Sequence, residues 1–301
     1  MEMLVKQGHK VVLLTTTNRG PLHEIVEQFG VTALDTDVNE NAGKIKYITK
    51  NFFRLRSVVK KYDIEAVIAH QQIPALIAGV LKKIRPFKLI YVRHNSDVDY
   101  LINYTKAKRF NKLVNGVTPI KVAPSSAVKH TWTSIEKKSQ EEIHRINYGY
   151  NFQQYESPVP EIVEEIKTKF PGTLRILTMG RLVPGKCYPK MFSVISKLVN
   201  DGINCKFLCL GDGYLKNELN DLIKQMSLQD HVFLLGVKNN IFDYIQASDV
   251  FLLLSESEAS NSAVKEAALL RKPAIVCKGV GDFEDYIQNG RNSFLVDKHF
   301  P

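Results

Sequence analysis

Short apolar runs rich in β-branched residues alternate with helical periodicities along the first half of the chain. Runs at 11–16, 31–35, 66–70, 89–94 and 121–125 read as strands, with stretches of period 3.6 between them. The same rhythm resumes at 174–179, 206–210, 232–235, 250–254 and 274–277. Alternation of this kind predicts parallel sheets covered by helices. Between the two series, 151–172 breaks the pattern with Pro158, Pro160 and Pro171 around a charged helical stretch, the composition of an interdomain connector. The expected fold class is α/β, with two Rossmann-like parallel-sheet domains facing across a cleft. Residues 1–155 form the first expected domain, 156–172 the linker and 173–301 the second domain. A ligand is expected in the cleft, at the carboxyl ends of the strands. Residues 1–8 read as the tail of a helix entering a strand, and 292–301 stop just after one. The pattern therefore reads as truncated at both ends, lacking the first strand of one domain and the closing helices of the other.

Length agrees with two domains, because 301 residues exceed a typical single core. Apolar residues at 44% supply enough hydrophobic mass for buried sheets. The 41 basic and 31 acidic side chains leave a net charge of +10, which favours an anionic partner: a nucleotide, a phospholipid or a nucleic acid. The basic residues are not interleaved with stacking aromatics in a recognisable module, so no nucleic-acid partner is expected. Cys187, Cys205, Cys209 and Cys277 lack CxxC spacing and histidine partners, and read as small core hydrophobes in a reducing compartment. No apolar run approaches the roughly eighteen residues of a membrane span. Glu2 and Lys6 interrupt the one place where a signal peptide could start, so a cytoplasmic location is expected.

One segment changes that picture. Residues 44–61 carry Lys44, Lys46, Lys50, Arg54, Arg56, Lys60 and Lys61 without an acidic residue, while Ile45, Ile48, Phe52, Leu55 and Val59 form an apolar stripe. The stretch reads either as a packed helix with a wet basic face or, with Lys106, Lys108, Arg109 and Lys112, as a surface resting on an anionic membrane. The second reading makes the protein peripheral on the inner face of the membrane, presenting a lipid-linked acceptor.

Candidate chemistry lies mainly in the second half. The stretch Glu258-Ala-Ser-Asn-Ser-Ala-Val-Lys-Glu266 follows a buried strand and leads into a helix. Ser260 or Asn261 can cap that helix, leaving backbone N–H groups and the positive end of the dipole for a phosphate. Eight residues of helix rise about 12 Å, so Glu258 and Glu266 reach separate parts of one extended ligand rather than sharing a proton. A second turn after a strand, Gly180-Arg181-Leu-Val-Pro-Gly-Lys186, offers two cations to a diphosphate. Gly211-Asp-Gly213 follows the next strand. It is not a dinucleotide fingerprint, because Lys216 stands where the third glycine would be; close backbone approach to a nucleotide is the weaker expectation. In the first half, His70 and His94 each end an expected strand and would face the same cleft. Either can move a proton or bind sugar hydroxyls, His94 being the stronger candidate. The pairs Asp35-Thr-Asp37 and Asp97-Val-Asp99 match a metal-binding pattern by chance frequency, and no metal is assigned.

At this point the residues resemble a known family, the retaining glycosyltransferases of family four, which have the two-domain GT-B fold. Four stretches match in order: Gly180-Arg181-Leu182 with Lys186; Leu210-Gly-Asp-Gly213 running to His231-Val-Phe-Leu-Leu-Gly236; Ser248 to Ser255 with Glu258 and Glu266; and Gly290-Arg-Asn-Ser-Phe-Leu-Val296. In the first half, Gly8-His9-Lys10-Val11, the strands ending at His70 and His94, and Pro124-Ser125-Ser126 also look like landmarks of the family, less tightly. The resemblance implies retaining transfer from a nucleotide diphosphate sugar to a glycan or lipid-linked acceptor in surface polysaccharide synthesis. Arg181 and Lys186 would neutralise the leaving diphosphate, with neither cofactor nor metal. Glu258 would lie by the donor sugar, Glu266 would accept from the ribose diol, and His94 would contact sugar or acceptor. Gly211, Gly213, Ala259, Ser260, Asn261 and Ser262 would line the nucleotide-sugar loops, and His70 the acceptor side. The chain departs from the family at Ala259 and Cys187, where the family has glycine. Two other readings stay open: a sugar-nucleotide epimerase of the same architecture, and a non-catalytic remnant that binds nucleotide sugar.

Overall fold

The computed structural model describes residues 1–39, 43–149 and 157–298. It separates into two compact units whose boundaries interleave along the chain. Unit 1 comprises Met1–Arg93, Asn103–Val122 and Glu136–His144; unit 2 comprises His94–Ile102, Ala123–Ile135 and Arg145–Pro301. The domain limits expected from sequence, 1–155 and 173–301, differ from these because the segments that leave two strands of the first half run with unit 2. Of the expected connector, residues 151–156 lie outside the described residues. The helical part is α7 (Pro160–Thr168), which buries Val163 and Ile166 in the core of unit 2.

In unit 1 the short helix α1 (Glu2–Lys6) precedes β1 (Val12–Leu14), which pairs in parallel with β2 (Thr32–Leu34) after α2 (Leu22–Glu27). The helix α3 (Lys44–Lys61) follows. A separate sheet runs in the order β3 (Ala66–His70), β4 (Lys88–Val92), β5 (Ile120–Ala123), β6 (Ile143–Arg145), with α4 (Gln72–Lys82) crossing between the first two strands. Leu81, Leu89, Tyr91 and Val114 are buried there. Arg93, just beyond β4, is wholly buried and ion-paired to Glu136 at 2.5 Å, and Glu136 also accepts from Asn115. A buried charge is tolerated only when so paired. The stretch α5 (Val98–Val117) is broken at Asn103 (φ −156°, ψ 96°), whose side-chain oxygen accepts from the Lys106 N–H and caps the helix that continues.

Unit 2 holds one six-stranded parallel sheet in the order β12 (Phe294–Val296), β11 (Ala274–Cys277), β10 (Val250–Leu253), β7 (Leu174–Met179), β8 (Cys205–Leu210), β9 (Val232–Gly236). Its central strands are buried on both faces, which is why they read as unbroken apolar runs rather than alternating ones: Phe207, Leu208, Cys209 and Leu210 are all buried. The helices α8 (Tyr188–Asn200), α9 (Lys216–Gln225), α10 (Ile241–Ala247) and α11 (Ser262–Leu269) cross between strands, while the five-residue α6 (Ser126–His130) follows β5. The first strand of this series, β7, lies centrally between β10 and β8, so the strand order reverses at the β7–β10 boundary. That reversal opens a crevice at the carboxyl ends of the strands. No helix among the described residues is long and apolar enough to cross a membrane.

Candidate functional site

The two turns singled out in the sequence emerge side by side at this reversal. One leaves the carboxyl end of β7, the other that of β10, and these strands are neighbours. The Glu256 N–H donates to the Gly185 carbonyl at 3.1 Å, tying turn to turn. Beside that bond, Lys186 Nζ donates to Glu258 Oε1 at 2.5 Å, with only 18% and 12% of the two side chains exposed. Arg181, on the same turn as Lys186, is exposed. Thus Lys186 and Glu258, 72 residues apart along the chain, meet at one strand boundary, with Arg181 on the adjoining turn.

The glycines of the next loop have a structural reason. Gly211 has φ +132°, and a Cβ there would run into the Gly180 carbonyl; one on Gly213 would run into the backbone of Leu182. The Leu182 N–H donates to the Asp212 carbonyl at 3.0 Å. Gly211 and Gly213 therefore let the two loops interlock. Cys187 follows Lys186 with φ +53° and ψ 43°, the left-handed region in which a side chain is disfavoured. It is only half-buried, unlike the core thiols Cys205, Cys209 and Cys277, so the expectation of a core hydrophobe fails at this position. Burial pushes its thiol up to about 11.

Beyond Glu258, Ala259 is buried without a left-handed φ, so its Cβ is accommodated. Asn261 caps α11, accepting from the Val264 N–H at 3.1 Å. Not all backbone donors there face an incoming phosphate, as the sequence reading expected. The Asn261 N–H donates to Asp282 Oδ1 at 3.2 Å. Asp282, 1% exposed, also accepts from the Ser260 hydroxyl at 2.7 Å and pairs with Lys265, whose Nζ donates to Ser260 Oγ at 2.6 Å. An internal carboxylate thus occupies part of the helix start, where the dipole favours negative charge. Ser262 opens the helix and is exposed. Gly281, at φ +59°, brings its backbone against Glu258, leaving 2.7 Å between a notional Cβ and that of Glu258. One helical stretch further, Glu266 is half-buried, and desolvation raises its pKa above the ordinary carboxylate value.

His94 does not end β4 but lies two residues past it, and it belongs to unit 2. Its Nδ1 is hydrogen-bonded to the Tyr148 hydroxyl, and the rings stack with centroids 5.9 Å apart. The same segment docks beside Glu258: Ser96 Oγ lies 3.0 Å from Ser257 Oγ, which donates to Asp97 Oδ1 at 2.8 Å. Asp97 therefore holds a loop, and among the described residues no cluster of three or more metal-ligating side chains occurs. His70 does end β3, in unit 1. Desolvation lowers its pKa.

Tyr148, Lys265, Gly281 and Asp282 escaped the sequence reading. For Asp282 a signal existed: Gly279-Val-Gly281 begins two residues past β11, near a strand's carboxyl end, and both glycines take positive φ.

A solved structure of Anabaena HepE in complex with UDP and glucose superimposes with a TM-score of 0.80 at 17% identity, covering 98% of this chain and 80% of that one. This likeness shows the fold, that of two Rossmann-like parallel-sheet domains in the GT-B class. An uncharacterized glycosyltransferase of Methanocaldococcus jannaschii is 25% identical over 242 residues, 76% of this chain and 59% of that protein. The N-acetylgalactosamine-N,N'-diacetylbacillosaminyl-diphospho-undecaprenol 4-alpha-N-acetylgalactosaminyltransferase of Campylobacter jejuni is 34% identical over 130 residues, 42% of this chain and 33% of that protein. The chain thus spans between a third and three-fifths of the length of these two relatives. Residues 161–300 match the model of glycosyl transferases group 1. Residues 1–154, more than half of the 301, match the model of Glycosyltransferase Family 4, and the chain belongs to that family.

Proposed function

We propose that the protein transfers a sugar, with retention of configuration, from a nucleoside diphosphate sugar to a glycan or lipid-linked acceptor in surface polysaccharide synthesis. The carrying observation is the Lys186–Glu258 contact of 2.5 Å at the tips of β7 and β10, with Arg181 on the adjoining turn. Before donor arrives, Lys186 is neutralised by Glu258. A diphosphate competes for that amine, and Arg181 adds a planar pair of donors suited to phosphate oxygens. As the bond from sugar to phosphate lengthens, charge accumulates on the leaving oxygens, and both cations stabilise it without a metal. Glu258, released in part from Lys186, then faces the positive charge that develops on the sugar ring. The acceptor enters on the face the diphosphate leaves, which preserves configuration. Glu266 suits the ribose: two hydroxyl donors offer a desolvated carboxylate the hydrogen bonds that burial removed. The relatives named above support this reading, one by UDP and glucose in its structure and one by its diphospho-undecaprenol acceptor.

A lipid-linked acceptor also gives a role to α3. Ile45 is 81% and Phe53 61% exposed, between Lys44, Lys46, Lys50 and Arg54. We infer peripheral attachment to an anionic leaflet through this helix, tested by co-sedimentation with phosphatidylglycerol vesicles and with neutral ones. Equal binding to both would remove the electrostatic component of that attachment.

The site is tested by thermal-shift screening of uridine, guanosine and adenosine diphosphate sugars, because a ligand bound only by folded protein raises its melting temperature. One nucleotide series is expected to stabilise the protein, and Arg181→Ala or Glu266→Ala to remove most of the shift. A full shift in both variants would displace the site from these residues.

A further inference from the structure

We propose that Tyr148 is a positioning residue that fixes the tautomer of His94, so that His94 meets substrate as a hydrogen-bond donor through Nε2 rather than as a base. The proposal rests on the reading above only in taking His94 to face substrate. Tyr148 makes two contacts with the imidazole: the hydrogen bond between Nδ1 and the Tyr148 hydroxyl, and the stacking of the rings at 5.9 Å with 13° between their planes. The first fixes rotation within the ring plane, and the second fixes the plane itself.

Which partner donates decides the tautomer. A phenol oxygen is a poor base, whereas the unprotonated imidazole nitrogen is a good acceptor, so the O–H donates. Lys265 strengthens that preference. Its Nζ lies over the Tyr148 ring, 6.0 Å from the centroid, where a cation draws electron density from the ring and polarises the O–H. The amine is itself fixed by its pairing with buried Asp282, its bond to Ser260 and the Tyr286 ring 5.5 Å away. With Nδ1 accepting, a neutral imidazole carries its proton on Nε2. The same supports hold Ser260 and Asn261, so the ring and the turn after Glu258 are braced by one set of side chains.

The experiment is a long-range 1H–15N correlation of the histidine side chains in the full chain without ligand, at about pH 8, where an ordinary imidazole is neutral. Assignment uses a His94→Gln variant. Wild-type protein is expected to show the Nε2–H pattern at His94. Tyr148→Phe keeps the stacked ring, removes the hydroxyl, and is expected to shift the balance towards the mixed pattern of the two tautomers. With donor and acceptor, Tyr148→Phe is expected to lower kcat about tenfold while leaving the KM for donor unchanged. An Nδ1–H pattern in wild-type protein, or an unchanged pattern in Tyr148→Phe, overturns the proposal. Should that variant not fold, Lys265→Gln, expected to move the balance towards the mixed pattern, replaces it, and an unchanged pattern there overturns the proposal equally. Because the tautomer is read without substrate, failure of sugar transfer would defeat the proposed function and leave this result standing.

Discussion

Glu258 and Glu266 stand at opposite ends of one turn-and-helix segment, and their surroundings differ in kind. Glu258 is 12% exposed and held by Lys186 at 2.5 Å. Glu266 is half-buried, makes no salt bridge among the described residues, and has its pKa raised by desolvation. A paired carboxylate is charged and already oriented, so it can respond to charge that develops during a reaction. A desolvated one lacks hydrogen bonds to its ionised form, and a neutral ligand that donates them is rewarded. In the proposed function the comparison separates a group suited to the chemical step from one suited to binding, although both are glutamates on the same strand-to-helix connection.

The largest expected effect tests the first half of that contrast. Glu258→Gln should lower kcat by about 100- to 1000-fold, the usual result of removing one electrostatic partner of a transition state. Affinity for the nucleoside diphosphate should hold or rise, because Lys186 is released to the phosphate. Steady-state kinetics and calorimetric binding read the two effects separately, and equal losses in both would erase the distinction. Glu266→Gln should do the reverse: nucleoside diphosphate affinity should fall about 10- to 100-fold, the equivalent of one or two hydrogen bonds to a charged group, with kcat at saturating donor nearly unchanged.

A smaller effect follows from the sign of the Glu266 shift. Its pKa is raised on folding, so ionisation subtracts stability. The penalty is absent below the unfolded value, grows as pH rises towards the folded value, and is constant above it. Glu266→Gln should therefore melt higher than wild-type protein at neutral pH without ligand, and the gain should vanish below about pH 4. The variant that binds nucleotide worse should be the more stable one. A melting temperature that falls at neutral pH would mean that Glu266 is held by its neighbours rather than left for a ligand.

Much of the architecture around these carboxylates was legible because central strands buried on both faces leave long apolar runs. Strands β7 and β11 were bounded correctly from that signal, and β3, an edge strand in which only Ala69 is buried, from its short apolar run. The three-residue β6, Ile143–Arg145, carries one apolar residue between polar neighbours and was missed. The basic turn and the Glu258–Glu266 stretch were visible because each directly follows an apolar run. What stayed hidden was pairing at long range. Lys186 meets Glu258 across 72 residues, and Asp282 reaches back 22 residues to Ser260, contacts set by strand order rather than by local periodicity. The interleaving of the compact units had no sequence signal either, since Asn103, which breaks α5, is an ordinary polar residue inside a helical pattern.

The smallest effect sharpens the comparison at the Lys186 end, where Cys187 holds φ +53°. A Cβ in the left-handed region costs roughly 1–2 kcal/mol, and glycine removes that cost. Glycine also loses more chain entropy on folding, about 0.5–1 kcal/mol, and the half-buried thiol gives up some packing. The thiol is pushed up to about 11, so its removal takes no charge from the site at neutral pH. The balance leaves Cys187→Gly more stable by about 0.5 kcal/mol, a rise in melting temperature of roughly 1–2 °C for a chain of this size. Cys187→Ala keeps the Cβ and should show no gain. If the turn's shape is set by its backbone hydrogen bonds, Cys187 N–H to Pro184 carbonyl at 2.9 Å and Lys186 N–H to Val183 carbonyl at 3.1 Å, then kcat and KM should stay within about twofold of wild type. A drop in stability with glycine would show instead that the thiol's own contacts hold the left-handed turn, and with it the placement of Lys186 opposite Glu258.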